Sequence, residues 1–577
     1  MALAIPTRVE WSCLRLRTLD FSGSLVVSVL LMTAIGNGVV LYGFGVFDGT
    51  AAASVPRSNG LVLHASAVSL PSSLLGSVPV TAVITPPETV GPANPGTASQ
   101  ASPHGKNPGS GPNTATLPSG KKQYQTGLGL EGINGAESAC FQPVFGTNNS
   151  PFGCLPPDVT MSASSQFVME EVNTAGKIWT TSGQVVKFFT LTDFFTVPSG
   201  AGCFLTDPQV YFDNGTQRWF TSILSVTCGA LNTQQPDVSS QIYLGVSQTS
   251  DPSGSWFEYV IPNPLPLNLA DQPFLGVNDH VVVISTNQFL YSAFVVDGFT
   301  GAYFWVLDKL ALEQVGCTNP AGLFCSVTFQ TFGPFGNMAS IHPAHSYGPS
   351  PTEYMAGVFP PSHGESGVDT LNFFAVDGTP PQATVSITNL TIRPMAGPPF
   401  GDQPGMPQSL ETNDGRITTG VYQDDVTWWG ANAGCTVPGG SSLRSCIRLI
   451  EVTTTSGTYA VAQDFDFSSG KDEDVYFPGI TLDPAGDLTL TYAFSSLTTD
   501  PSMAVTLKLA SQTKGVLEPP TVVVPGKDTE QGGRYGDYCD ASPSYSDPRE
   551  VWLACEYIAN FNDFIWNTHV QQLFVVG

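Results

Sequence analysis

Arg534, Asp537 and Tyr538 fall together in the phrase Gly-Gly-Arg-Tyr-Gly-Asp-Tyr. A guanidinium, a carboxylate and a phenol on one glycine-rich turn are groups with which a loop can hold a polar ligand or move a proton. An Asp in such a turn more often caps its own backbone. Asp537 is the carboxylate that the sequence marks first. Two more arginines occupy turn-to-strand phrases of their own, Arg218 in Gln-Arg-Trp and Arg416 in Asp-Gly-Arg-Ile-Thr-Thr-Gly. His342 and His345 have a spacing that metal sites use, but Pro343 between them opposes the helix that would align two imidazoles, so they read as polar residues of a surface turn. The oxygen-rich loops around Asp483 and Asp487, and around Asp472, Glu473 and Asp474, suit Ca²⁺ in ligand type without the EF-hand spacing. Ca²⁺ is thus a candidate ion, and no cofactor is required. No nucleophile elbow, P-loop or dinucleotide fingerprint is present in a strand-to-helix setting, which argues against nucleotide chemistry.

The elements that must position these residues are strands. Charged residues make up only 12% of the 577, while 59 Gly and 47 Pro supply many tight turns. One local phrase recurs, a Pro-led strand turning into an apolar one, at Pro157, Pro208, Pro273, Pro343, Pro404, Pro478 and Pro543. Spacings of 51, 65, 70, 61, 74 and 65 residues leave room for four short strands and their loops. Segments such as VVVIST, LTLTYAF and VWLACEY are β-branched and aromatic and are bounded by turn residues. The expected fold is all-β, a seven-bladed β-propeller over residues 126–577, with six or eight blades as alternatives. Its last strand region, FIWNTHVQQLFVV, is expected to pair with a strand from residues 126–156 and close the ring. A helical turn is expected only in LDKLALEQVG.

After Cys13, the cysteines fall into neighbouring couples: Cys140/Cys154, Cys203/Cys228, Cys317/Cys325, Cys435/Cys446 and Cys539/Cys555. Short local disulfides suit an oxidising compartment, and these partners are the simplest of many connectivities. After residue 125 there are 43 acidic and 14 basic side chains. Such a surface repels phosphate backbones and excludes nucleic acid as a partner, while serving solubility or attracting cations.

Arg8, Arg15 and Arg17 precede an uncharged stretch from Phe21 to Phe47, long enough to span a bilayer as a helix. Residues 1–47 are therefore expected to be a signal-anchor whose transmembrane helix tethers the protein to the membrane. Ala51-Ala52-Ala53 offers a cleavage site, which would make the protein secreted instead. Residues 48–125, rich in Pro, Gly, Ser, Thr and Ala, read as a disordered stalk.

The phrases Asp207 to Trp219, Ser247 to Trp256 (SQTSDPSGSW) and Arg534 to Tyr557 resemble those of extracellular bacterial β-propellers of the sialidase-like, Asp-box kind, many of them surface or secreted proteins. The resemblance covers roughly residues 126–577 and speaks for fold more than reaction. In the second phrase Asp251, Gly254 and Trp256 depart from the usual Asp-box spacing, so it reads as a structural turn. Sialidases clamp a carboxylate with three arginines beside a Tyr/Glu pair and an acid/base Asp. That resemblance nominates Arg218, Arg416 and Arg534, with Tyr538 and Glu556 as the pair. The first blade lacks the Arg-bearing phrase of the family, and the three arginines are expected not to share one cavity. The expected function is extracellular recognition of a glycan or a surface protein, with a sialidase-like glycoside hydrolase as the alternative.

Overall fold

A computed structural model of the chain describes residues 32–35, 38–41, 75–79, 82–84, 115, 122–138, 155–195, 204–227, 239–265, 268–292, 295–314, 326–336, 338–365, 367–437, 439–531, 534–560 and 565–576. The chain divides into residues 1–61 and residues 62–577. In the first unit Met32–Ile35 and Gly38–Leu41 pair as an antiparallel hairpin. This corrects the expected helix where the segment is described: Thr, Ile and Val favour extended backbone, and Gly38 disfavours a helix. The remainder of Phe21–Phe47 lies outside the described residues. Among the described residues no helix is long and apolar enough to cross a membrane.

The second unit is a β-propeller built of four-stranded antiparallel runs. The first strand of each run lies against the first strand of the next. Their order is Thr160–Ala163, Phe204–Asp213, Asn268–Val277, Ala339–Pro343, Ile417–Gln423, Asp474–Leu482 and Asp540–Pro543, and the last returns to the first. Four of the sheets have four strands and one has five, so five blades stand as separate sheets rather than the seven expected. The difference lies in a ten-stranded sheet. There Ala339–Pro343 runs on into His345–Ser346, which pairs in parallel with Val277 on one side and with Val421 and Tyr422 on the other. That bridge hydrogen-bonds the run that begins at Asn268 to the run that begins at Ile417.

Three of the recurring prolines have one physical role. Pro208, Pro273 and Pro478 each sit in a β-bulge of a first strand, between Thr206 and Gln209, Asp271 and Phe274, and Tyr476 and Gly479. The residue before each is left-handed, with φ of 54° at Asp207, 52° at Gln272 and 54° at Phe477. A following Pro disfavours the right-handed helical region and removes a ladder donor, so the strand kinks there and two residues leave the pairing. Pro404 is different. It lies in the tip of an inserted hairpin, Gly401–Gln403 with Met406–Leu410, and the run it was expected to open begins at Ile417.

Pairing of Ile565–Val575 with Tyr124–Asn134 closes the ring, from Asn567 opposite Asn134 to Val575 opposite Tyr124. Within the expected stalk, Leu75–Pro79 and Ala82–Ile84 are strands, added to the outer edges of Ser326–Phe335 and Trp256–Pro262. The helical turn expected near Leu307 is Lys309–Glu313, capped by the Asp308 carboxylate.

Large aromatic side chains fill the space between sheets. Trp219, Trp256, Trp305, Trp429 and Trp552 are fully buried. Their indole N–H groups find acceptors where burial demands them: Trp219 donates to Ser250 O, Trp256 to Pro252 O, Trp429 to Thr427 Oγ1 and Trp552 to Glu550 Oε1. Trp256 ends the SQTSDPSGSW turn, in which Asp251 Oδ1 accepts from Ser253 N at 2.8 Å.

Of the five expected disulfides, two fall on described residues, Cys435–Cys446 and Cys539–Cys555, with Cα atoms 5.9 and 4.4 Å apart. The other three expected bonds, Cys140 with Cys154, Cys203 with Cys228 and Cys317 with Cys325, lie outside the described residues. The structure therefore supports the local pairing at two of the five couples. Each of those two closes a short loop, so reduction is expected to remove about 3 kcal/mol per bond from stability. Melting curves recorded before and after confirmed thiol reduction check this, and an unchanged midpoint would contradict it.

Candidate binding cleft

Five of the seven first strands contribute residues in or just before them to a cleft of about 440 Å³ at the mouth of the ring. Asp158 comes from the approach to the first run, Asp207 and Asp271 from the bulged strands, Glu411, Asn413 and Arg416 from the approach to Ile417, and Arg534 and Asp537 from the approach to Asp540. The kinks at Asp207 and Gln272 place polar groups at this end. Gly536 fixes the Arg534–Asp537 turn: its φ is +90°, and a Cβ there would lie 2.0 Å from the Phe477 ring. Cys539, bonded to Cys555, pins the chain immediately beyond Tyr538.

Asn173, in the turn between the second and third strands of the first run, holds two carboxyl-bearing segments together. Its Nδ2 donates to Asp158 Oδ2 at 2.7 Å, and its Oδ1 accepts from Asp207 N at 2.7 Å. The Tyr538 hydroxyl lies 3.5 Å from Asp207 Oδ1. Arg534 Nη2 donates to Asp537 Oδ2 at 2.8 Å, and Asn413 Nδ2 to Asp537 Oδ1 at 3.2 Å. Arg416 forks onto Asp414 with two bonds of 2.7 Å and gives its remaining arm to Gln272 Oε1.

Crowded carboxyls in a sheltered site hold their protons. Burial, reinforced by Asp271 and Asp537, pushes Asp207 up to about 8. Burial, with Asp537 and Asp207 beside it, drives Asp158 well above the carboxylate range. Asp271 rises less, to about 6, because Arg416 opposes its burial. The Tyr538 phenol is pushed well above its ordinary value by burial and by Asp207. Asp537 holds the Arg534 guanidinium firmly charged. At neutral pH the cleft therefore offers two protonated carboxyls, Asp158 and Asp207, that both donate and accept, together with amides and two internally paired guanidinium groups, while Asp271 has largely lost its proton.

Of the residues the sequence nominated, Arg416, Arg534 and Asp537 line the cleft, and Tyr538 touches its wall through Asp207. Arg218 stands apart. It pairs with Asp213 at the opposite end of the Phe204–Asp213 strand, so it does not meet the other two arginines. Glu556 is fully buried behind the cleft, where it accepts from Gly536 N at 2.7 Å, and supports the turn rather than pairing with Tyr538. His342 and His345 lie in buried strand segments and not on a surface turn, and burial lowers them to about 3 and 4. In the oxygen-rich loops two carboxylates are engaged by the protein: Asp483 Oδ1 caps Ala485 N and Asp487 N, and Asp474 binds Arg444. Among the described residues no group of three or more His, Cys, Asp or Glu side chains is placed to hold a metal ion. Sequence reasoning missed Asp158, Asp207 and Asp271 as site residues, although each stands within two positions of a proline of the recurring phrase.

The fold and cleft define a propeller with an acidic, arginine-buttressed site at the mouth of its ring. No family model matches the chain, and no curated protein matches it in sequence. Among solved structures it is similar to a protein of unknown function from Dyadobacter fermentans, at 11% identity and a TM-score of 0.34, over 64% of this chain and 94% of that one. It is also similar to a Trypanosoma rangeli sialidase in complex with sialic acid, at 9% identity and a TM-score of 0.31, over 65% and 54% of the two chains. A polysaccharide lyase, an ulvan lyase, matches at 10% identity and a TM-score of 0.33, over 61% and 77%. The propeller assignment rests on the strand pairing, and these likenesses assign no activity.

Proposed function

We propose that the propeller is a carbohydrate-recognition module whose mouth cleft holds an uncharged saccharide. The observation that carries this reading is the convergence, in one cleft, of Asp158, Asp207, Asp271 and Asp537 with Arg416 and Arg534. The protonated carboxyls of Asp158 and Asp207 and the amides match hydroxyl groups, each of which must donate as well as accept. A carboxylated sugar fits less well: both guanidinium groups already bind a carboxylate of the chain, and the third arginine of a sialidase-like clamp is elsewhere. An extracellular setting belongs to the proposal, supported by Cys435–Cys446 and Cys539–Cys555. A membrane tether through residues 1–47 is proposed on the sequence alone, from Arg8, Arg15 and Arg17 ahead of the uncharged Phe21–Phe47 stretch, and without the single helix first expected. No cofactor is needed for binding, and Ca²⁺ at other loops would be separate from it.

Titration against a glycan array and defined oligosaccharides tests the reading. Neutral glycans are expected to bind in preference to sialylated ones, and Asp537→Ala to weaken binding roughly tenfold. A strict preference for sialosides would overturn it. Glycoside hydrolysis is the second reading, favoured by one observation: Asp207 keeps its proton up to about 8 and so could act as a general acid at neutral pH. Asp207→Asn separates the two readings. Its amide keeps the hydrogen-bonding shape and supplies no acidic proton, so turnover would fall about a hundredfold or more in an enzyme, while a binding module would have no turnover to lose.

A further inference from the structure

Beside the cleft lies a feature that the cleft itself does not use. Phe400 is 37% exposed, and its ring stacks on the imidazole of His363 with centroids 4.1 Å apart and planes 30° from parallel. Both nitrogens of that imidazole are engaged, Nδ1 with Pro398 O at 2.8 Å and Nε2 with Glu411 Oε1 at 2.9 Å. The ring pair is thus held in one orientation without needing a ligand to order it. Glu411 also lines the cleft and acts electrostatically on Arg534. The His363 segment is joined to the cleft wall a second time, where Gly415 N, next to Arg416, donates to Pro361 O at 3.1 Å. On the same segment Phe359 is 59% exposed. A pre-ordered, partly exposed aromatic ring has an apolar face for the C–H face of a sugar, and the polar contacts of the cleft continue to its foot.

We propose that the Phe400–His363 pair is a second, stacking subsite that holds the next ring of a neutral oligosaccharide whose end occupies the cleft. The proposal rests on the reading of the cleft as a saccharide site and adds chain length to it: the ligand is an oligosaccharide of at least two units rather than a single sugar. Continuity selects this occupant, because Glu411, which lines the cleft, binds His363, and the His363 ring stacks on Phe400. His363 is a positioning residue. Phe400 is the one that would touch the sugar.

Calorimetric titration of the full chain with gluco-, xylo-, galacto- and arabino-oligosaccharides of one to six units tests this, using wild type, Phe400→Ala and Asp537→Ala. In a series that binds, affinity is expected to rise roughly tenfold between one unit and three in wild type, and Phe400→Ala to bring that ratio close to one. Asp537→Ala should weaken every length while keeping the ratio. A ratio in Phe400→Ala equal to that of wild type would overturn the stacking subsite alone. Absence of binding by wild type in all four series would overturn the cleft reading and the subsite with it. Phe400 is exposed, so its replacement leaves the core packing intact, and matched melting curves confirm that the variant is folded.

Discussion

The melting temperature is expected to fall steadily as the pH is raised from about 5 to about 8. The cause is a set of carboxyls inside the sheets that fold in their neutral form. Burial raises Glu171 to about 8, although Thr221 donates to it, and raises Glu170 to about 7 against the pull of Thr568 and Lys177. Asp207 reaches about 8, and burial carries Asp158, Glu353 and Glu556 well above the ordinary range. An unfolded chain releases these protons near pH 4, so between roughly 4 and 8 the native protein binds more protons than the unfolded one. Each such group then lowers stability by about 1.4 kcal/mol per pH unit until its native value is passed, where the loss levels off. His342 and His345 act in the opposite direction, because they are buried neutral and unfolding lets them take up protons below about 6.5. The carboxyls outnumber them, and above that pH they act unopposed. Calorimetric scans across the range check the slope. Glu171→Gln, whose amide oxygen still accepts from Thr221, should flatten it and raise the midpoint at pH 8. A flat or rising midpoint in the native protein would show that these carboxyls are ionised in the fold.

Replacing Arg448 should unfold the protein more readily than the loss of any surface ion pair. This guanidinium is 1% exposed and bonds Asp466 Oδ1 at 2.6 Å, Asp464 Oδ1 at 3.0 Å, Arg393 O at 3.0 Å and Pro394 O at 3.3 Å. It sits on Leu443–Thr453 and reaches across to the last strand of the preceding run, Thr384–Met395. It therefore ties one blade to the next. Removing one partner of a buried ion pair leaves the other charges without solvation, at a cost of about 3 to 5 kcal/mol. Arg448→Met keeps most of the volume and isolates the electrostatic part. Denaturant titration is expected to show a loss in that range for Arg448→Met and a far smaller one for Arg549→Met, whose ion pair with Asp547 is exposed. Equal effects would mean that the blades are held together by apolar packing alone.

The fold was largely legible because its turns repeat chemically. A Pro that bends a strand leaves the same trace at Pro208, Pro273 and Pro478, and closure through the last strand follows from the need to leave no open edge. What could not be read was the pairing at His345 and Ser346, since two residues forming a parallel bridge carry no periodic signal. Pro404 misled for the opposite reason, because a hairpin tip uses the same residue for a different turn. The cleft was half legible. Glycine-rich turns drew attention to Arg416, Arg534 and Asp537, whereas Asp158, Asp207 and Asp271 are hidden within the fold phrase, where they pass for its punctuation. Arg218 failed on reach: at roughly 3.3 Å per residue, the stretch from Asp207 to Asp213, with which it pairs, spans about 20 Å.

The strand that closes the ring has a consequence for how the molecule is made. Tyr124 and Val575 must meet across about 450 positions of chain, which is the kind of contact that slows folding. While a ribosome is still adding residues 565–575, Tyr124–Asn134 has no strand to lie against, and neither does the free side of Glu550–Asn560. Until that strand is in place the propeller has two unsatisfied edges, each a template for pairing with another chain. A chain cut within Ile565–Val575 would keep both edges open, so that one strand decides whether the ring closes or stays a template for edge-to-edge aggregation.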